Sequence, residues 1–88
     1  MRANPEFVAR TIADELVLVP IGSAALACDG LITCNELGAF IWKKLEEGLD
    51  EPAILAAILE EYEVEEETAK ADMSKFLGRL RELGAIIE

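Results

Sequence analysis

Residues 31–42, Leu-Ile-Thr-Cys-Asn-Glu-Leu-Gly-Ala-Phe-Ile-Trp, leave this chain little conformational choice. Leu31 to Cys34 are apolar or β-branched and follow an Asp29–Gly30 turn signal, so they read as a short strand. Asn35 is a favoured N-cap, and Glu36 puts a negative charge in the first helical turn, where the helix dipole stabilises it. A strand that passes through one capping residue into an amphipathic helix can hold a backbone edge at a fixed distance from the helices behind it. That geometry suits capture of a peptide better than it suits catalysis.

Upstream, residues 7–13 and 16–21 read as two further strands, with Pro20 near a strand end, where a missing donor is tolerated. Residues 22–30 form a small-residue connection with room for irregular extended structure. Short connections favour an antiparallel meander of three strands. Downstream the pattern is helical. Residues 36–47 place Leu37, Ile41 and Leu45 one turn apart, and Gly48 stops the helix. Asp50 caps a second helix that carries Pro52 in its first turn and Ile54, Leu55, Ile58, Leu59 and Tyr62 on one face. Residues 66–83 give the longest helix, with Ala69, Met73, Phe76, Leu77, Leu80 and Leu83 as its stripe and Gly84 beyond it; Ala85 to Ile87 can add an extended tail. The predicted fold is α+β, one domain over residues 1–88, with a three-stranded antiparallel sheet followed by three helices in a winged helix-turn-helix-like order.

Eighty-eight residues bury about 60% of the unfolded chain's surface. Hydrophobic residues make up 52% of the chain, enough for one core, with an apolar groove or oligomer contact to spare. The formal net charge of −10 opposes nucleic acid as a partner, because a phosphate backbone demands a basic face. The charge is unevenly spread. Residues 35–69 carry two basic against eleven acidic side chains, whereas four of the eight basic residues, Lys70, Lys75, Arg79 and Arg81, sit on the last helix. A locally basic helix in an acidic chain is a candidate docking surface for an acidic ligand, although cations toward a helix C-terminus also suit the dipole, which accounts for Arg79 and Arg81 better than for Lys70. At about 100° per residue, Lys70 and Arg81 border one side of the apolar stripe, and Asp72, Lys75 and Arg79 border the other, so the pattern leaves open which side meets a ligand.

The chain has no histidine, which removes the usual general base and the commonest metal ligand. Two cysteines, Cys28 and Cys34, are too few for a metal site and read as free thiols of a reducing compartment. The glutamate runs at 60–67 read as solvated charge, and no glycine-rich phosphate loop follows a strand. No apolar run approaches the ~20 residues of a membrane span, and residues 1–7 lack the apolar core of a signal peptide. The expectation is a cytoplasmic, non-enzymatic protein without cofactor or metal, bound to neither membrane nor nucleic acid.

The junction Ile32–Trp42, with Tyr62–Glu63–Val64, Glu67–Asp72, Phe76–Leu77 and Leu80–Gly84, resembles the PqqD-like family over nearly the whole chain from Phe7. Cys34 stands where a leucine is usual before the asparagine, and Leu37 where a threonine is usual. The resemblance implies a recognition element for ribosomally made precursor peptides, related to the protein D of coenzyme PQQ synthesis. In that family the leader adds as an antiparallel strand to the third strand, against the last helix. The peptide then passes to a modifying enzyme, commonly of the radical SAM/SPASM type. Carried over, Leu31, Ile32, Thr33 and Cys34 supply the edge. Met73, Phe76, Leu77 and Leu80 divide between core and groove, and Lys70, Lys75, Arg79 and Arg81 read leader carboxylates. Two other readings stand beside it. One is a winged-helix DNA-binding regulator, which the acidic 35–69 segment opposes; the other is a homodimer paired through the open strand edge.

Overall fold

The computed structural model describes residues 1–27 and 32–87; Cys28, the Asp29–Gly30 turn signal, Leu31 and Glu88 lie outside the described residues. In chain order the elements are β1 (Arg2–Ala3), β2 (Phe7–Ile12), β3 (Glu15–Pro20), α1 (Ser23–Ala27), β4 (Ile32–Cys34), α2 (Glu36–Glu46), α3 (Glu51–Glu61), α4 (Glu66–Glu82) and β5 (Ile86–Ile87). The meander is as expected: β2, β3 and β4 form an antiparallel sheet in that order, with Ile12 opposite Glu15, and Leu16, Val17 and Leu18 opposite Cys34, Thr33 and Ile32. Because β3 is central, β4 is an edge strand among the described residues.

The β2–β3 register leaves only Ala13 and Asp14 in the turn, and both have positive φ, 52° and 67°. Two left-handed residues give the twist that a two-residue hairpin needs, but alanine pays a steric cost there that asparagine largely avoids. Ala13→Asn is therefore expected to stabilise the protein by about 0.5–1 kcal/mol and to raise the melting temperature by a few degrees. A melting temperature that falls would count against this turn.

The small-residue connection 22–30, read as having room for irregular extended structure, instead forms a short helix over Ser23–Ala27, and its residues 28–30 lie outside the described residues. The cause is a partner distant in sequence. The Glu6 carboxylate accepts from both the Ser23 backbone N–H at 2.8 Å and the Ser23 hydroxyl at 2.7 Å, supplying an N-terminal cap that no local residue provides. The same bonds, led by the hydroxyl, hold the Glu6 carboxyl below its ordinary pKa. Lowered in the folded state, Glu6 favours folding above the normal carboxylate range, and that contribution is lost as pH falls through its folded value.

The longer helices are capped where their sequence asks for it. Asn35 Oδ1 accepts the Gly38 N–H at 2.7 Å, and Asp50 Oδ1 accepts the Ala53 N–H at 3.0 Å, each contributing about 1 kcal/mol. At the far end of α4, Gly84 takes φ +79°, and the Ala85 N–H donates back to the Leu80 carbonyl at 2.8 Å. The reversed chain enters β5, which pairs antiparallel with β1. Asn4 secures this two-stranded ribbon, donating from its backbone to the Ala85 carbonyl and from its side chain to the Gly84 carbonyl, both at 2.8 Å. The sequence reading placed no strand at Arg2–Ala3, since two residues carry no periodicity.

The core lies between the sheet and the helices. Leu18 and Ile32 from the sheet meet Ile41, Trp42 and Leu45 of α2, with Ile54 and Ile58 of α3 and Leu77 and Leu80 of α4 closing it; all nine are essentially inaccessible. Each such side chain contributes about 1.5–3 kcal/mol of burial. Phe40 and Tyr62 join α2 to the end of α3 edge-to-face at 5.5 Å. Among the described residues no helix is long and apolar enough to cross a membrane.

Candidate functional site

The site begins at the junction that ends β4. Ile32 and Cys34 turn into the core and Thr33 turns out to solvent, so the strand is anchored by alternate side chains while its outer edge has no strand partner among the described residues. Asn35 then starts α2, which packs on β3 and β4. The edge and the helix are thus joined through one capped residue and packed on the same core.

Across from this unit runs α4. Between them lies a groove of about 610 Å³ with Asn35, Leu37, Gly38 and Ile41 on one wall. Asp72, Lys75, Phe76, Arg79 and Glu82 form the other. The walls approach closely at Gly38, where an added Cβ would stand 3.0 Å from the Phe76 ring and 3.2 Å from Asn35 Oδ1. A glycine in a first helical turn costs helix stability; here it makes room for an aromatic ring and a cap at once.

Phe76 stands against Gly38, and Arg79, one turn further along α4, is within electrostatic reach of Cys34 at the end of β4. Burial pushes the Cys34 thiol up, and the Arg79 guanidinium offsets part of that rise. A buried, protonated thiol is a packing group rather than a nucleophile.

The predicted site residues separate into three groups. Lys75, Phe76 and Arg79 line the groove, and Ile32, Thr33 and Cys34 form the strand beside it. Met73, Leu77 and Leu80 are buried at 3%, 0% and 0% exposure, packed in the core. Lys70 and Arg81 are on the α4 border away from the groove; Arg81 pairs with Glu51 of α3 and approaches Met1 Sδ at 3.3 Å. Leu31 lies outside the described residues. The sequence reading missed the α2 wall, although a glycine in a first helical turn was a legible sign of close approach at Gly38. It also left Glu82 out of account as a groove residue.

Among the described residues no group of three histidine, cysteine, aspartate or glutamate side chains could hold a metal ion. What the arrangement offers is an open backbone edge, a partly apolar floor and a charged rim, the elements of peptide binding by strand addition.

The family described as coenzyme PQQ synthesis protein D (PqqD) matches residues 15–86. No curated protein sequence matches the chain. Two solved structures share its fold. One, described as TbiB1 in complex with the TbiA(beta) leader peptide, is 29% identical with a TM-score of 0.80, over 97% of this chain and 93% of that one. The other, lasso peptide synthetase B1 complexed with the leader peptide, is 24% identical with a TM-score of 0.79, over 99% and 96%.

Proposed function

The chain belongs to the PqqD family, and from that premise we propose that it binds the leader of a ribosomally made precursor peptide without catalysing a reaction on it. The leader adds as an antiparallel strand to the open edge of β4 and lies in the groove against α4. It is held there for a separate modifying enzyme, and a radical SAM enzyme is the proposed partner. The observation that carries this reading is the juxtaposition of an edge strand with a groove that continues from its end. Main-chain hydrogen bonds supply sequence-independent affinity, and the groove side chains select. A leader-bound structure of similar fold, 29% identical over nearly the whole chain, supports it.

Amide hydrogen exchange tests the reading, using synthetic peptides that span the short open reading frames beside the gene. A binding peptide is expected to slow exchange at the amides of residues 32–34 and to leave β2 unchanged. Binding that slows exchange elsewhere and not in β4 would place the peptide on another surface.

A further inference from the structure

Asp72, Lys75, Arg79 and Glu82 line the groove in that order along α4, and all four are exposed. Opposite charges three residues apart could neutralise each other as Asp72–Lys75 and Arg79–Glu82, yet none of the four makes an ion pair or side-chain hydrogen bond among the described residues. The two cations face the same groove one turn apart, a like-charge i,i+4 arrangement that is unfavourable in the free helix. A ligand carrying matched negative charge relieves it.

The spacing says what such a ligand looks like. Lys75 and Arg79 are separated by about 6 Å along the helix axis. An extended peptide points alternate side chains to one face, and residues two apart are about 6.8 Å from each other. A strand added to β4 and running along α4 would bring its positions i and i+2 to Lys75 and Arg79 nearly in step, with i+1 pointing away. The next same-face positions on either side, i−2 and i+4, lie beyond Lys75 and Arg79 on the sides of Asp72 and Glu82, which stand about 4.5 Å further along the helix axis and reach them with their exposed side chains. Resting on the proposed strand addition, we infer that the groove reads a charge register: two carboxylates two residues apart, flanked on the same face by basic side chains. The partner is thus a peptide with an acid–x–acid core, selected by Lys75 and Arg79 and policed at both ends by Asp72 and Glu82. A peptide shifted by one residue turns its carboxylates away, and one shifted by two sets a carboxylate against Asp72 or Glu82.

Selection from a library of short random peptides displayed on their own messenger RNA, against the intact protein, tests this. The enriched peptides are expected to carry acidic side chains at i and i+2, with lysine or arginine at i−2 or i+4. The exposed double variant Lys75→Glu with Arg79→Glu should enrich basic residues at i and i+2. It should also bind the parent's acidic peptide at least roughly tenfold more weakly and recover affinity for the charge-swapped peptide. Amide exchange on the selected complexes separates the two ideas. Protection of residues 32–34 without any i,i+2 charge preference overturns the register and leaves strand addition standing. Acidic peptides that bind without protecting β4 overturn strand addition and the register with it. A charge-reversed variant that enriches the same peptides as the parent, or a selection that enriches nothing, also overturns the register.

Discussion

Leu77→Ala is expected to lower the unfolding free energy by about 2–5 kcal/mol and to leave the peptide affinity of the folded molecules unchanged; Phe76→Ala, its neighbour, should reverse that balance. Leu77 is 0% exposed and lies in the core cluster, so its truncation leaves a cavity among residues held by three helices. On general scaling a domain of this size has about 4–13 kcal/mol of total stability, so the loss is a large share of it. Phe76 is only half buried, packed on the edge of the core with its ring against Gly38 in the groove. Removing that ring should cost about 1–2 kcal/mol, since less area leaves water, and should remove the apolar surface on which a bound peptide packs. Urea denaturation with and without a saturating selected peptide reads both quantities. Equal effects of the two substitutions on peptide affinity would show that the peptide does not lie against Phe76.

Trp42→Ala is expected to cost about 3–5 kcal/mol, whereas Trp42→Phe should stay within about 1 kcal/mol of the parent protein. Trp42 is 1% exposed at the centre of α2, and its indole N–H has no acceptor among the described residues. An orphaned buried donor costs about 1–3 kcal/mol. Phenylalanine loses part of the ring volume and also removes that donor, so the two changes offset. Alanine loses the whole ring and leaves a cavity under the sheet. Melting followed by far-ultraviolet circular dichroism distinguishes them, because 1 kcal/mol moves the midpoint by about 4–8 °C in a domain of this size. A Trp42→Phe variant as unstable as Trp42→Ala would mean that the indole N–H is satisfied.

Where structure is decided locally, the sequence was legible. The caps at Asn35 and Asp50, the left-handed stop at Gly84 and the 3.6-residue stripes place α2, α3 and α4 within a residue of where they lie. Alternation and turn signals place β2 and β3 equally well. The failures are non-local. Helix α1 depends on a carboxylate 17 residues earlier, and β1 is paired with residues at the other end of the chain, so neither has a local signature.

The sequence by itself determined that this chain has an antiparallel meander joined through Asn35 to a helical half, with no histidine for acid–base or metal chemistry and with half its cations on the last helix. Composition, capping and periodicity are properties of neighbours along the chain. Only the tertiary structure decided which border of that helix meets the groove. Burial of Ala69, Met73, Leu77 and Leu80 sets the rotation of α4 about its axis. That rotation turns Lys75, Phe76 and Arg79 toward Gly38 and sends Arg81 to Glu51. A helical stripe fixes what is buried, but the packing partners decide which side of it faces the groove.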